Sequence, residues 1–96
     1  MSEVAVLVTT SHRGVFFGYV TDPDAIMRNG FGKMRAARNV LFWPQENKGF
    51  LGLAAMGPLK GSRVGPPADL RLRDVTSVAD CTQVAVDAWE QHPWSK

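Results

Sequence analysis

The chain has 96 residues, of which 45% are hydrophobic and 21% charged, and its formal net charge at pH 7 is +2. This length predicts a single domain, 1–96, and excludes a kinase, a TIM barrel or a two-domain dinucleotide enzyme, which need longer chains. Three Trp and five Phe supply large side chains for a core, so we expect the chain to fold.

Cysteine content and hydropathy indicate the compartment. Cys81 is the single cysteine, so the chain cannot form an internal disulfide, and it offers no thiol cluster for zinc or iron–sulfur ligation. Its apolar runs fall short of the roughly 18 residues of a membrane span, and its start lacks the basic region of a signal peptide. We therefore expect a cytoplasmic protein without a membrane partner.

The charges are unevenly distributed along the chain. Residues 28–73 hold nine basic and two acidic residues, a net charge of +7, whereas residues 1–27 carry −2 and residues 74–96 carry −3. A basic middle segment predicts a positive face for a phosphate-bearing partner. Alternatively, the acidic C-terminal segment packs beside it and neutralises it.

Residues 4–20 predict a β-hairpin. The run 4–9 alternates as a strand does, residues 11–14 have turn composition, and the β-rich run 15–20 follows. Gly18 inside the second strand indicates a bulge or a close backbone approach.

The middle of the sequence predicts two more strands. Residues 25–35 read as a loop with at most a short helical turn, because glycines interrupt any longer helix. The β-branched and aromatic run 36–43 reads as a strand, 45–49 as a polar hairpin loop, and 50–56 as a fourth strand.

Glycine and proline then interrupt the pattern. Residues 57–67 contain three Gly and three Pro, which predicts an irregular loop. The segment 70–75 alternates strictly, so its leucines face one side and Arg71 and Arg73 the other. We predict a fifth strand with a basic outer face.

A C-terminal helix begins near Asp80 or Thr82 and runs to about Gln91. Its apolar residues form a narrow stripe that is expected to pack on the sheet. The stripe consists of Cys81, Val84, Ala85, Ala88 and Trp89. Trp94, beyond the helix, is expected to fold back onto the domain.

These elements predict a mainly β fold with one C-terminal helix. Five short strands and glycine-rich turns fit a small, strongly bent antiparallel sheet, most like an SH3-like barrel capped by the helix. An open five-stranded sheet with the helix across one face is the alternative.

The loop 57–67 is the first candidate binding site. Its glycines allow backbone N–H groups to converge on an anion, and Lys60, Ser62 and Arg63 offer charge and hydrogen bonds. The loop lacks the residue order of a Walker motif and precedes a strand, not a helix. It is also explained by a chain that simply crosses one end of the sheet.

Further candidate contacts lie outside that loop. Lys33 follows a flexible segment in which Phe31 is available for stacking on a base, although the segment also reads as a plain connection. Trp43 beside Pro44 is a core residue or, if exposed, a stacking platform. We expect Arg71 and Arg73 to share one face, with Arg63 brought near them by the loop.

Catalytic and metal-binding constellations are not apparent in the sequence. His12 falls in a turn and His92 at a helix end, where a solvated side chain is typical. Cys81 on the inward stripe of the helix reads as a structural thiol rather than a nucleophile. We therefore predict no catalytic residues, no metal and no cofactor.

Several motifs of the chain resemble a family of short uncharacterised proteins encoded by bacteriophages and prophages. They are the segments 6–10, 13–20, 49–55 and 60–66, rich in structural glycines and ending in the basic loop. The resemblance implies a phage accessory protein in the cytoplasm of a host bacterium.

Together, the charge pattern and the resemblance predict a non-enzymatic protein that binds and inhibits a host bacterial protein, in the manner of a counter-defence factor. The alternative is a nucleotide- or nucleic-acid-binding module that holds phosphates in the loop 57–67, including at a contact between subunits of a homo-oligomer. An enzyme or a virion component is a third interpretation.

Overall fold

The computed structural model describes residues 3–11 and 14–93. The described chain forms six strands, three α-helices and one 3-10 turn. In chain order these elements are β1 Val4–Thr10, β2 Val15–Val20, α1 Pro23–Asn29, β3 Gly32–Phe42, the 3-10 turn Gln45–Asn47, α2 Phe50–Met56, β4 Arg63–Val64, β5 Ala68–Leu72, β6 Val75–Asp80 and α3 Gln83–Gln91.

The strands form one antiparallel sheet that is curled but open. Their order is β4-β3-β2-β1-β6, and β5 pairs with β3 beside β4. Strands β5 and β6 thus lie at opposite edges, yet only Arg73 and Asp74 separate them in sequence. Four strand spacings would span about 19 Å in a flat sheet, whereas three residue steps reach at most roughly 11 Å. The sheet must therefore curl until these edges approach each other.

This architecture confirms a mainly β fold with a C-terminal helix, whereas the SH3-like barrel is not confirmed. β5 and β6 do not pair with each other, so the sheet remains open. It has six strands, not about five, and three helices accompany it in the described residues.

The two faces of the sheet bury separate cores. We call the face that packs against α1 the inner face and the face under α2 and α3 the outer face. Because side chains alternate along a strand, β1 contributes Val6 and Val8 to the inner core and Leu7 to the outer core, and all three are fully buried. The inner core is completed by Val20, Ile26, Met34, Ala37 and Leu72. The outer core also contains Val15, Phe17, Val40, Leu53, Ala54, Val64, Ala85 and Trp89.

The predicted strand 50–56 is wrong, because this segment is the helix α2. Its apolar run contains leucine, alanine and methionine, which favour helix, and no β-branched residue. Gly52 also lets the helix approach the preceding turn. A Cβ at Gly52 would lie 1.5 Å from the Asn47 carbonyl oxygen. Residues 45–49 accordingly form a 3-10 turn into a helix rather than a hairpin loop.

The short helical turn allowed within the predicted loop 25–35 is the helix α1, whereas residues 32–35 are wrong as a loop because they already belong to β3. The Asp22 side chain accepts a hydrogen bond from the Ala25 N–H at 3.1 Å, and Pro23 begins α1. Gly30 ends the helix in the left-handed conformation, with φ 78°, so that β3 can begin at Gly32.

The C-terminal elements differ from prediction in their boundaries. The predicted strand 70–75 is divided between β5 and β6, because Asp74 adopts a left-handed conformation with φ 57°. Within the loop 57–67, two residues form β4. The helix α3 begins after the N-cap Thr82, as one of the two predicted starts had it. Its residue Val84 is 68% exposed and therefore lies outside the buried stripe. Trp94 lies outside the described residues.

Candidate functional site

A β-bulge in β3 positions the charged side chains of the outer face. Between Phe17 and Tyr19 the partner on β3 moves from Arg38 to Arg35, so β3 contains one residue more than β2. Ala36, whose φ is 52°, is the extra residue, and β5 shows the same shift on the other edge. Residues three apart on a strand normally face opposite sides. The bulge instead puts Arg35 and Arg38 on the same outer face.

The bulge is held by polar and steric contacts. The Asp69 carboxylate accepts a hydrogen bond from the Ala36 N–H at 3.1 Å. Across the sheet, a Cβ at Gly18 would lie 3.1 Å from the Ala37 Cα atom and 2.7 Å from the Met34 Cγ atom. The prediction for Gly18 is confirmed as a close approach, while the bulge itself lies in the neighbouring strand.

Arg38 reaches from the sheet to the end of α3. Its side chain is 7% exposed. The Nε atom donates to the Gly65 carbonyl oxygen at 3.1 Å, and Nη1 donates to the Trp89 carbonyl oxygen at 2.8 Å. Arg38 thus joins β3, the segment before β5 and the last turn of α3, where a cation is favoured by the helix dipole.

A line of polar contacts lies beside Arg38 on the same face. Tyr19 donates a hydrogen bond to the Glu90 carboxylate. The Arg35 guanidinium lies 4.8 Å from the centre of the Tyr19 ring, and its Nε atom donates to both carboxylate oxygens of Glu3 at 2.8 Å. Glu3, Arg35, Tyr19 and Glu90 therefore form one line of polar contacts.

Two adjoining cavities open along this line. The first, of about 300 Å³, lies at the end of α3 between Arg38, Glu90 and His92. The second, of about 310 Å³, lies between Glu3, Lys33 and Asp69. Both are also lined by Tyr19 and Arg35, and we call the two together the open groove.

Burial shifts the acid–base properties of the groove. Desolvation lowers the pKa of the Arg38 guanidinium, and the nearby Glu90 carboxylate partly opposes this shift. Burial and the hydrogen bond to Glu90 raise the pKa of Tyr19 well above its ordinary value, so this phenol stays protonated. The hydrogen bond to Glu3 raises the pKa of Arg35. The groove therefore presents fixed donors.

Two predicted site residues meet at one end of β3. Lys33 lies directly opposite Arg71 in the antiparallel register of β3 and β5. Both side chains are exposed on the outer face, because their strand neighbours Met34, Leu70 and Leu72 pack in the inner core. We call Lys33, Arg35 and Arg71 the cationic strand face. Arg73, another predicted site residue, is exposed just beyond the end of β5. Its Nε atom lies 3.7 Å from the Asp74 Oδ2 atom.

Arg63 and Lys60 lie elsewhere. Arg63 pairs with Phe42, nine residues further along β3 than Lys33, and Lys60 is exposed in the turn before β4. The expectation that the loop brings Arg63 near Arg71 is therefore wrong, because β4 and β5 follow different segments of β3.

The backbone of the loop 57–67 is engaged within the fold. The N–H groups of four of its residues donate to oxygen atoms of the protein, so they are not available to an anion. These residues are Gly57, Leu59, Ser62 and Gly65. The Ser62 side chain is buried, and the backbone carbonyl oxygen of Ser62 lies 3.0 Å from the His92 Nε2 atom.

The other predicted residues fall in different environments. Phe31 is 59% exposed between α1 and β3. Trp43 is half-buried against the outer core. Cys81 packs against the same core, and burial raises the pKa of its thiol to about 12, which favours the protonated thiol at neutral pH. His12 lies outside the described residues.

The sequence interpretation did not single out Tyr19, Arg35, Arg38 or Glu90. The two arginines entered only as part of the basic segment, because the sequence placed Arg35 in the predicted loop 25–35 and Arg38 in the predicted strand 36–43. The signal that joins them is the bulge at Ala36, and no glycine or asparagine marks this left-handed residue.

In residues 3–11 and 14–93, His, Cys, Asp and Glu side chains do not form a group of three or more that could hold a metal ion. None of the described helices is both long and apolar enough to span a membrane.

Comparison with known proteins identifies the family. Residues 3–89 match the family DUF6948, a domain of unknown function, and the chain belongs to this family. No curated protein and no solved structure matches the chain.

Proposed function

We propose that this chain is a non-enzymatic binding protein that holds the acidic surface of a partner protein on its cationic strand face. The observation that carries the proposal is the direct pairing of Lys33 with Arg71 across two strands. Like charges in directly opposed positions destabilise a sheet. In the described part of the chain, neither side chain forms an ion pair with an acidic residue. An acidic partner would compensate this repulsion.

The surroundings favour a protein partner over a nucleic acid. Glu3 and Asp69 lie beside Lys33 in the open groove, so the surface carries both signs of charge. A phosphate backbone would be repelled by these carboxylates, whereas a folded protein can match a mixed pattern and gain specificity from it. Tyr19 and Arg35, which lie between the two cavities, are residue types that dominate binding energy at protein interfaces.

The resemblance to phage and prophage proteins supports a bacterial host protein as the partner. Occupation of that protein's surface would inhibit it without chemistry, as a counter-defence factor does. We do not assign the partner to the loop 57–67, because four of its amides donate within the protein and its basic residues lie away from Lys33.

Affinity capture with matched variants tests the proposal. The wild-type protein and two double variants are immobilised and exposed to a bacterial lysate, once untreated and once treated with nuclease. One variant carries Lys33→Gln and Arg71→Gln, and the control carries Lys60→Gln and Arg63→Gln. All four side chains are exposed, so the melting temperatures should remain within a few degrees of wild type.

We expect a protein that is retained by wild type and by the control, and whose affinity for the Lys33/Arg71 variant is at least about tenfold weaker. Equal retention by both variants would exclude the cationic strand face as the binding surface. Loss of capture after nuclease treatment would favour nucleic acid as the partner instead.

A further inference from the structure

Two of the three guanidinium nitrogens of Arg38 donate hydrogen bonds within the described part of the chain, and the third does not. Its Nε and Nη1 atoms donate to the carbonyl oxygens of Gly65 and Trp89. The Nη2 atom is shielded from solvent and has no hydrogen-bond acceptor among the described residues. Arg38 as a whole is more than nine-tenths buried, and it lines the cavity at the end of α3.

A structural role alone does not account for this nitrogen. Two neutral donors would satisfy the two carbonyl oxygens without placing a cation in the interior. A buried charged donor without an acceptor is unfavourable, and desolvation already lowers the pKa of Arg38. The arrangement lacks an anionic acceptor at Nη2.

The cavity provides room and further donors for such an acceptor. It has a volume of about 300 Å³, near the lower end of small-molecule sites. Arg35 contributes a second cation at its rim, and His92 contributes a ring within the same lining. Glu90 is the acidic residue of the lining, and Tyr19 holds its carboxylate by a hydrogen bond.

We infer that this cavity is a binding site for the oxyanion group, carboxylate or phosphate, of a small molecule, which approaches the Arg38 guanidinium through the cavity and accepts a hydrogen bond from Nη2 when the Glu90 side chain moves aside. Glu90 competes with that ligand: its charge acts on Arg38, and its exposed side chain can move outward when its hydrogen bond with Tyr19 breaks. The inference does not depend on the proposed protein partner, because Arg38 is not part of the cationic strand face.

The test follows anion binding by the full chain with ¹⁵N NMR. Inorganic phosphate and acetate are titrated separately at constant ionic strength, with chloride as the reference anion. The reporters are the Arg38 Nε–H resonance and the backbone N–H of His92, which donates to the Trp89 carbonyl oxygen. We expect saturable shifts of both signals with one of the two anions and none with chloride, and the responding anion identifies the ligand class.

Two variants assign the effect to the site. Glu90→Gln keeps an acceptor for Tyr19 but removes the competing charge, so it should tighten binding by roughly threefold to a hundredfold, depending on the local permittivity. Arg38→Lys should abolish saturation, while Lys60→Gln, a cation outside the cavity, should not alter it.

The outcomes decide the inference even if Arg38→Lys does not fold. Identical, non-saturating responses to phosphate, acetate and chloride in both wild type and Glu90→Gln would overturn it. Unchanged saturation in a folded Arg38→Lys protein would also overturn it. Saturation that appears only in Glu90→Gln would support it, because Glu90 then occupies the field of Arg38 in the wild type.

Discussion

The outer face has two parts that are built from the same strands but differ in polarity. The covered half is packed under the helices, and the open half carries the open groove. On β2, Phe17 is 2% exposed and its ring stacks on Trp89 with centroids 4.8 Å apart. Tyr19, two residues further on the same face, is only half-buried and uses its hydroxyl to bind Glu90. The boundary between core and groove therefore lies between neighbouring aromatic rings 5.6 Å apart.

The length of α3 sets this boundary. The nine residues of α3 span about 12 Å, whereas the eleven residues of β3 extend for at most about 33 Å. The helix ends beside Arg38, and the remainder of the face carries charged side chains instead of apolar ones. A short covering helix thus leaves a polar platform on an otherwise buried sheet, and this platform is the surface to which we assign binding.

The largest expected loss of stability comes from a substitution in the core of the covered half. Trp89 is fully buried, stacks on Phe17 and donates its indole N–H to the Leu53 carbonyl oxygen at 3.2 Å. Trp89→Ala should lower the free energy of unfolding by about 3–5 kcal/mol, because it leaves a cavity and an unpaired carbonyl group. Chemical denaturation monitored by circular dichroism measures the change.

Val84 provides the control on the same helix. It is 68% exposed, so Val84→Ala should change the free energy of unfolding by no more than about 0.5 kcal/mol. Equal midpoints for the two variants would contradict the docking of α3 through Trp89.

Sequence patterns predicted the two buried cores better than the open half of the outer face. Alternation in β1 and β5 and the helical stripe of α3 are periodic signals, and they placed Leu70, Leu72 and Trp89 correctly in the interior. The segment 50–56 failed because a short apolar run has no period that separates a buried strand from a buried helix. There, the close contact of Gly52 with the preceding turn decided the structure.

The groove could not be predicted because its residues come together through a local irregularity. Arg35 and Arg38 share a face only because Ala36 interrupts the alternation of β3. Glu90 reaches Tyr19 across 71 positions of sequence. The pairing of Lys33 with Arg71 likewise depends on a strand register that follows from tertiary packing and not from composition.

An intermediate loss of stability is expected from a substitution in β2 beside the bulge of β3. Gly18→Ala would place a Cβ atom 3.1 Å from the Ala37 Cα atom and 2.7 Å from the Met34 side chain. The neighbouring strand must shift to accept it, so the free energy of unfolding should fall by about 1–3 kcal/mol. The amide resonances of residues 34–38 should move more than those of the rest of the chain.

Gly65→Ala is the matched control, because its added Cβ would meet its nearest neighbour at an ordinary distance of 3.7 Å. We expect a change within about 0.5 kcal/mol. If both glycine variants had the same stability, the close packing of β2 on the bulge would not be the feature that positions Arg35 and Arg38.

The smallest expected effect tests whether the open half is arranged for a partner at the expense of the fold. In a double-mutant cycle with Lys33→Gln and Arg71→Gln, the coupling free energy isolates the interaction between the two side chains from the separate interactions of each with the rest of the protein. The pair is directly opposed in β3 and β5, so the coupling should be unfavourable by about 0.2–1 kcal/mol in the wild type. Raising the salt concentration to 1 M should largely remove it, because both side chains are exposed and the screening length falls to about 3 Å. A favourable coupling would mean that the fold itself stabilises this pair. That result would contradict the repulsion from which we infer an acidic partner.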